Sequence, residues 1–501
     1  MSRQLTIRRA LGLLISIFVI VAPRAAFAHA HLVKSVPSAG ARVAAAPNTI
    51  QLWFSEAPEA SLTTIILSAA DGRVFQLGKV TAVPDTSVSV LAIINGVLAP
   101  GDYTVKWRTV AADDGHPSNG GFSFTVTGII SATGTATTAT APPSGSVTVI
   151  PTEPNAEPMA VSGMDVESPI YVIVRWLSFT GLVLLVGVVA FRLLVLPRVG
   201  ASPALALARA GTHEVLATAI VPRLATLGIV AGLAVVIAAM GRLLAEQSVM
   251  AASMTMSVTA IVGQTTWGSV WLLQVGAAIV ACAGFALARR RLGAGVGVGW
   301  SIAAIAALVL AVTPALSGHA AGMPHWRTFA VTTDAIHVIS AGAWLGSLCV
   351  LVFVGLPAAI RTQSRNTSTG HSTGLMADMV NAFSPIALTF AAIVVLTGLI
   401  SAWLRLGSVS ALWRTSYGVV LLIKLALVGG VFAAGAFNWL RMRSALARSA
   451  LSHAASGGSE SPHASSSASV RFQRSGTFEL VFGVLVIAAT AVLVAMPTPV
   501  H

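Results

Sequence analysis

The sequence predicts a small all-β Greek-key sandwich or barrel followed by an all-α bundle of eight transmembrane helices. Three observations carry this expectation. Of 501 residues, 55% are hydrophobic and only 9% are charged. With a mean hydropathy of +0.82, the chain has more apolar surface than a soluble protein of this length can bury, so most of it must face lipid. Apolar residues before about position 126 alternate with polar ones, whereas those after about 168 form eight runs long enough to cross a bilayer.

The chain opens with Arg3, Arg8 and Arg9, an apolar run from Leu11 to Val21, and Ala26-Phe27-Ala28. This is the pattern of a signal peptide over residues 1–28, cut before His29 so that the chain from His29 onward is exported. The cut gives His29 a free amine beside its imidazole, and the two together chelate a metal ion. Both cysteines, Cys282 and Cys349, lie in apolar runs and read as small packing residues. The exported segment therefore has neither a disulfide framework nor a thiolate metal site. The formal charge of +13 comes from arginines beside apolar spans, without the aromatic interleaving of a nucleic-acid surface. It reports membrane orientation, and nucleic acid is not an expected partner.

Residues 29–126 read as β structure. Thr49–Phe54 alternates, Tyr103, Val105 and Trp107 share one face, and Phe122, Phe124 and Val126 repeat the pattern. Asp71-Gly72 and Pro100-Gly101 supply turns. Between the last two strands lies Ala112-Asp-Asp-Gly-His-Pro117, where Gly115 lets Asp114 and His116 reach a common point. With the amine and imidazole of His29 the donor set is three nitrogens and one oxygen, which suits tetragonal Cu(II); zinc gains less from the amine. His31 offers an alternative, since a histidine third from a free amine can wrap Cu(II) through two deprotonated backbone amides. Asp113 reads as a solvated turn residue.

The start His29-Ala-His-Leu-Val-Lys-Ser-Val-Pro, the run Leu52-Trp-Phe-Ser-Glu56, and Tyr103-Thr-Val-Lys-Trp-Arg with Asp114-Gly-His116-Pro and Gly121-Phe-Ser-Phe resemble the periplasmic copper-binding CopC family. The resemblance implies a cupredoxin-like Greek-key barrel in which His29, Asp114 and His116 hold Cu(II), with Glu56 in a second layer around the site. Some members of the family also bind Cu(I) through a methionine-rich loop. This segment contains no methionine, so one Cu(II) site and no Cu(I) site are expected in it.

Residues 127–166 are rich in Ser, Thr, Ala and Pro and read as a flexible tether, which keeps the exported domain at a high local concentration, roughly millimolar, over the membrane part. That part, residues 167–501, has apolar runs near 170–196, 219–245, 267–288, 297–317, 332–356, 383–404, 416–439 and 477–496. Arginines cluster after the first, third, fifth and seventh runs, while 247–266 has no lysine or arginine. The positive-inside rule thus places the exported domain, the even loops and the C-terminus outside the membrane, with Arg327, Arg405 and Arg414 as dissenting charges.

Polar groups within the runs ask for a partner or a function. Asp334 and His337 share a helix face, and just before them stand His319 and His325. Arg175, Lys424 and Glu479 read as ion-pair partners inside the bundle. Met250, Met254 and Met256, in an outer loop, are soft enough for Cu(I), although methionine is also an ordinary helix-end residue. His371, His453 and His463 in inner loops and His501 at the end carry no evident role.

The signatures Gly318-His319-Ala-Ala, Asp334-Ala-Ile-His337 through Trp344-Leu-Gly346, Thr397-Gly398-Leu-Ile-Ser-Ala-Trp403 and Thr415-Ser-Tyr-Gly418 with Lys424 resemble the inner-membrane CopD copper-resistance family. This implies a copper-handling membrane protein, usually assigned to uptake. The expected whole is a copper homeostasis and resistance protein, not an enzyme. Its exported domain binds Cu(II) and passes copper to a bundle that imports it, with copper chaperones on either side as candidate partners. No ATP-binding loop is present, and crossing requires reduction to Cu(I), because no hard-ligand path spans the bundle. Three rival functions remain: a haem- or copper-linked membrane redox protein using the bundle histidines, sequestration with the bundle as anchor, and a copper-dependent oxidative enzyme. The Asp114 ligand argues against the last by helping to fill the copper plane.

Overall fold

In the computed structural model the described residues are 32–128, without 84, 85 and 113–116, and 169–499, without 200–205, 254–256, 291–296, 319, 322, 324, 325, 366–374, 457–478, 497 and 498. The expected signal peptide, nearly all of the expected tether and the start of the expected exported domain fall outside them. The chain divides into a β unit and a helical unit.

The β unit has nine strands: β1 (Leu32–Val36), β2 (Arg42–Val43), β3 (Thr49–Phe54), β4 (Thr64–Ala69), β5 (Val74–Phe75), β6 (Thr81–Val83), β7 (Thr86–Ile93), β8 (Gly101–Val110) and β9 (Pro117–Val126). They form a four-stranded sheet, β1-β3-β7-β6, and a five-stranded sheet, β2-β9-β8-β4-β5. Pairing is antiparallel except between β2 and β9. The alternation seen in the sequence is what closes the sandwich. Ile50, Leu52 and Phe54 point inward from one sheet, and Tyr103, Val105, Trp107, Phe124 and Val126 from the other, each large side chain contributing about 1.5–3 kcal/mol on burial. Phe122 is only partly buried. Gly72 (φ 84°) occupies the expected turn in the left-handed region. Inside, Tyr103 stacks on Phe124 at 5.5 Å and donates its hydroxyl to Ala99 O at 2.7 Å.

The helical unit has α1 (Pro169–Arg198), α2 (Ala206–Ser253), α3 (Thr266–Arg290), α4 (Val298–Leu316), α5 (Arg327–Thr362), α6 (Leu375–Leu406), α7 (Ser416–Ser456) and α8 (Glu479–Leu493). Seven of these are long and apolar enough to cross a membrane, while α8 is shorter among the described residues. Most helices overrun the apolar stretches that announce them. Arg327 begins α5, and Arg405 lies in the last turn of α6. Two short helices, Val258–Gln264 and Ala411–Arg414, precede α3 and α7.

Helices α1 and α5 form the centre, with 72% and 78% of their apolar windows buried against 17% for α7. They meet backbone to backbone, because a Cβ on Gly187 would strike Gly346, and one on Gly346 would strike the Val183 carbonyl. Small residues at the crossing are how helices approach closely in lipid, where apolar burial alone gives no preference. Both helices carry π turns, Phe191–Val195 in α1, and Gly342–Gly346 and Leu351–Gly355 in α5.

Candidate functional site

At one end of the sandwich three stretches of chain converge. Leu32, next in the chain after His31, pairs with Phe54. The chain continues past Phe54 into Ser55-Glu56-Ala57-Pro58, where Pro58 bridges Ala111. There Ala112 N donates to Ala57 O at 2.8 Å, and Glu59 N donates to Val110 O at 2.7 Å. The β8–β9 hairpin closes at Val110 opposite Pro117. Leu32, three residues after His29 and one after His31, Ala112 and Pro117, which bracket Asp113, Asp114 and His116, and half-buried Glu56 therefore share this end. His29, His31, Asp113, Asp114 and His116 themselves lie outside the described set.

Beneath this end lies Trp107, edge-on to Phe54 with ring centroids 4.9 Å apart. Gly120 lies flat against the indole, since a Cβ there would come within 2.7 Å of Trp107 Cζ2. Trp107 Nε1 and Ser118 Oγ are buried and have no hydrogen-bond partner among the described residues. Buried donors of this kind cost stability unless something accepts from them.

In the helical unit, α5 and α6 bring a second set together. Thr397, Ser401 and Arg405 recur every four residues and form a stripe on α6. Ser401 Oγ donates to Asp334 Oδ1 at 2.9 Å, and Arg405 pairs with Asp334 Oδ2. Asp334 thus has both carboxylate oxygens engaged. Lys424 and Tyr417 of α7 are close enough to this pair to act on it electrostatically. His337 Nδ1 is 2.9 Å from Thr397 Oγ1. That hydroxyl lies 2.6 Å from Ile393 O and donates its single proton there, so it accepts from His337. The proton then sits on Nδ1, and the ring also lies within hydrogen-bonding reach of the Val394 carbonyl. Gly398 lies beside the ring, where a Cβ would be 3.5 Å from Cε1.

Of the residues expected along a membrane path, Asp334 and His337 come together one turn apart. His319, His325, Met254 and Met256 lie outside the described residues, as does the side chain of Met250. Among the described residues no group of three or more His, Cys, Asp or Glu side chains converges. Arg405 is the partner that sequence reasoning missed. It looks like a loop charge of the wrong sign, yet it is held by Asp334, and the four-residue spacing Thr397-Ser401-Arg405 was the signal for it. Among the described residues both cysteines, Cys282 and Cys349, are unpaired and partly buried.

Residues 32–127 match the CopC domain, residues 164–328 the copper resistance protein D-like N-terminal domain, and residues 377–493 copper resistance protein D. The copper transport protein CutJ of Bacillus subtilis is 24% identical over 435 residues, covering 86% of this chain and 71% of that protein. Protein YobA of Escherichia coli is 32% identical over 100 residues, covering 20% of this chain and 80% of its own length. The crystal structure of CopC from Methylosinus trichosporium OB3b is 30% identical, with a TM-score of 0.19, and covers 20% of this chain and 95% of that one.

Proposed function

The chain belongs to the CopC and CopD copper-resistance families, and from that premise we propose that it is a multi-pass copper importer of a bacterial inner membrane. Its domains are a signal peptide at 1–28, a Cu(II)-binding β domain at 29–126, a tether at 127–166 and a helical domain at 167–501. The β domain stands on the periplasmic side. His29, through amine and imidazole, holds Cu(II) with Asp114 and His116. Glu56 lies close by, and His31 is an alternative ligand. Trp107 N–H and Ser118 O–H are donors from which a metal-bound Asp114 carboxylate can accept, which would fix its orientation. The reading is supported chiefly by the convergence at one end of the sandwich of the chain stretches that lead to these ligands.

Copper then passes to the helical domain, where His337 Nε2 is the ligand facing the cargo and His319, His325 and the methionines at 250, 254 and 256 line the approach. Asp334 acts through Arg405 and Ser401 as an anchor for this face of α6. The cargo changes compartment and no substrate bond is broken, so the protein is a carrier rather than an enzyme. Copper chaperones on either side are the partners such a role would use.

A Cu(II) titration of the domain beginning at His29, read by electron paramagnetic resonance, tests the capture step. One tight tetragonal site is expected, weakened by orders of magnitude when a single alanine precedes His29. Equal, weak binding in both samples would contradict the proposed ligand set.

A further inference from the structure

The two halves of the helical unit repeat one another in detail. Thr265-Thr-Trp-Gly268 opens α3, and Thr415-Ser-Tyr-Gly418 opens α7, each after a short helix. Thr265 has φ −108° and ψ 151°, and Thr415 has φ −112° and ψ 148°. Thr265 Oγ1 donates to Ile261 O at 2.6 Å and accepts from Gly268 N at 2.8 Å. Thr415 Oγ1 donates to Ala411 O at 2.7 Å and accepts from Gly418 N at 3.0 Å. In both halves a Cβ on the glycine would strike a carbonyl oxygen of the preceding short helix, that of Ile261 or of Ala411. The same threonine caps the same helix start in each half, with the same close approach.

The likeness extends to the neighbouring helices. Both α1 and α5 pass through a π turn directly before Leu-Pro, at Leu196-Pro197 and Leu356-Pro357. The crossing of Gly187 with Gly346 falls within one residue of equivalent positions when the helices are counted back from those ends. On α2, Arg242 lies over the Trp267 ring at 5.7 Å and donates to Gln274 Oε1 at 3.3 Å. On α6, Arg405 acts on Tyr417 and Lys424, which stand where α3 has Trp267 and Gln274. Each element stands four places before its counterpart in helix order, an even number of crossings, so the two halves run in the same direction.

The halves differ at the positions that matter for a metal. Counting back from the Leu-Pro ends sets Val174 opposite Asp334 and Leu177 opposite His337. Val174 does face α2, because a Cβ on Gly241 would lie 3.1 Å from it. The carboxylate near Arg242 is instead Glu246, one turn further along α2 and 1% exposed, in a site shared with Tyr171 and Arg175.

We propose that the helical unit is a tandem repeat of two like-oriented four-helix modules, and that only the second carries copper, Val174 and Leu177 having closed the equivalent position in the first. The Tyr171, Arg175, Arg242, Glu246 and Gln274 cluster is then a fixed polar clasp of α1, α2 and α3 with no contact to cargo. The assignment of cargo rests on the importer reading; the repeat does not.

The test uses the full chain in detergent, with His116→Ala silencing the exported site and Cu(I) counted by competition with bicinchoninate. His337→Ala should lower membrane-domain copper from one ion to none. Glu246→Gln and Arg242→Gln should keep one ion, with affinity changed less than about threefold; Arg242→Lys and Trp267→Phe serve if those variants do not fold. Loss of copper in the folded clasp variants would overturn the division of labour. Separately, single cysteines at exposed Ser257 and Ser408, before α3 and α7, should label with a membrane-impermeant maleimide from the same side. Labelling from opposite sides would overturn the repeat. If the parent binds no copper in its helical unit, the importer reading and the cargo assignment both fall, and the labelling alone decides the repeat.

Discussion

Replacing Asp334 by asparagine isolates the charge of the α5–α6 clasp. The amide keeps the shape of the carboxylate and can still accept from Ser401, but it leaves Arg405 and Lys424 as two cations with no anion between them. Side chains of Arg405 and Asp334 are 17% and 21% exposed, which puts the pair much nearer the buried than the surface limit. Removing one partner of a buried pair costs about 3–5 kcal/mol, and an exposed pair is worth about 0–1 kcal/mol. At this exposure about 3 kcal/mol is expected. An unfolding entropy of about 2.1 cal/mol/K per residue gives about 1.4 °C per kcal/mol for a domain of about 335 residues, so the unfolding midpoint of the full chain in detergent, followed by tryptophan fluorescence, should fall by about 4 °C. Adding Arg405→Met should recover most of this, because removing both charges also removes the uncompensated one. A single Asp334→Asn variant melting within about 1 °C of the parent, against the roughly 4 °C expected, would refute the argument that the pair is desolvated.

Thr397→Val takes away the acceptor of the His337 Nδ1 proton, so the ring loses its orientation. Copper affinity of the helical unit should drop about 10–100-fold, the usual loss for a group that orients a ligand, with His337 still present. Gly120→Ala pushes a methyl into the Trp107 indole and should destabilise the β domain by about 1–3 kcal/mol; an unchanged urea midpoint would mean the ring is not packed there. In the β4–β5 turn, Arg73 holds the exposed Asp71 carboxyl below its ordinary value through side-chain and backbone hydrogen bonds. A lowered folded-state value means this contact contributes above the ordinary aspartate range and is lost as pH falls through the lowered value, so Arg73→Ala should move the Asp71 NMR titration upward. Binding of Cu(II) by the β domain should weaken as pH falls below about 6.5, where imidazole takes up a proton.

The β domain was legible in the sequence because burial imposes a period of two, which Ile50, Leu52, Phe54, Tyr103, Val105 and Trp107 follow without exception. The membrane helices were legible because lipid demands long apolar runs. What stayed hidden were pairings across helices. Arg405 counted as a dissenting loop charge since hydropathy ends the run near it, whereas the helix carries on and delivers it to Asp334 on α5. The Arg242 and Glu246 cluster escaped for the same reason, lying in α2 where the apolar run fades into polar sequence. Neither the tautomer of His337 nor the Thr397 contact that fixes it can be read from one helix alone. The repeat was concealed because its halves share caps, π turns and glycine contacts rather than a continuous run of identical residues.

The central claim is that copper captured by the β domain crosses through His337, and uptake of radioactive copper into right-side-out vesicles tests it most directly. Ascorbate in the medium supplies the one electron that turns Cu(II) into Cu(I), and His337→Ala is compared with the parent at matched protein levels and matched unfolding midpoint. Uptake should fall to the level of vesicles lacking the protein, while Cu(II) binding by the β domain is unchanged. Uptake by His337→Ala equal to that of the parent would contradict the account and leave the helical domain as an anchor for a copper-binding sandwich.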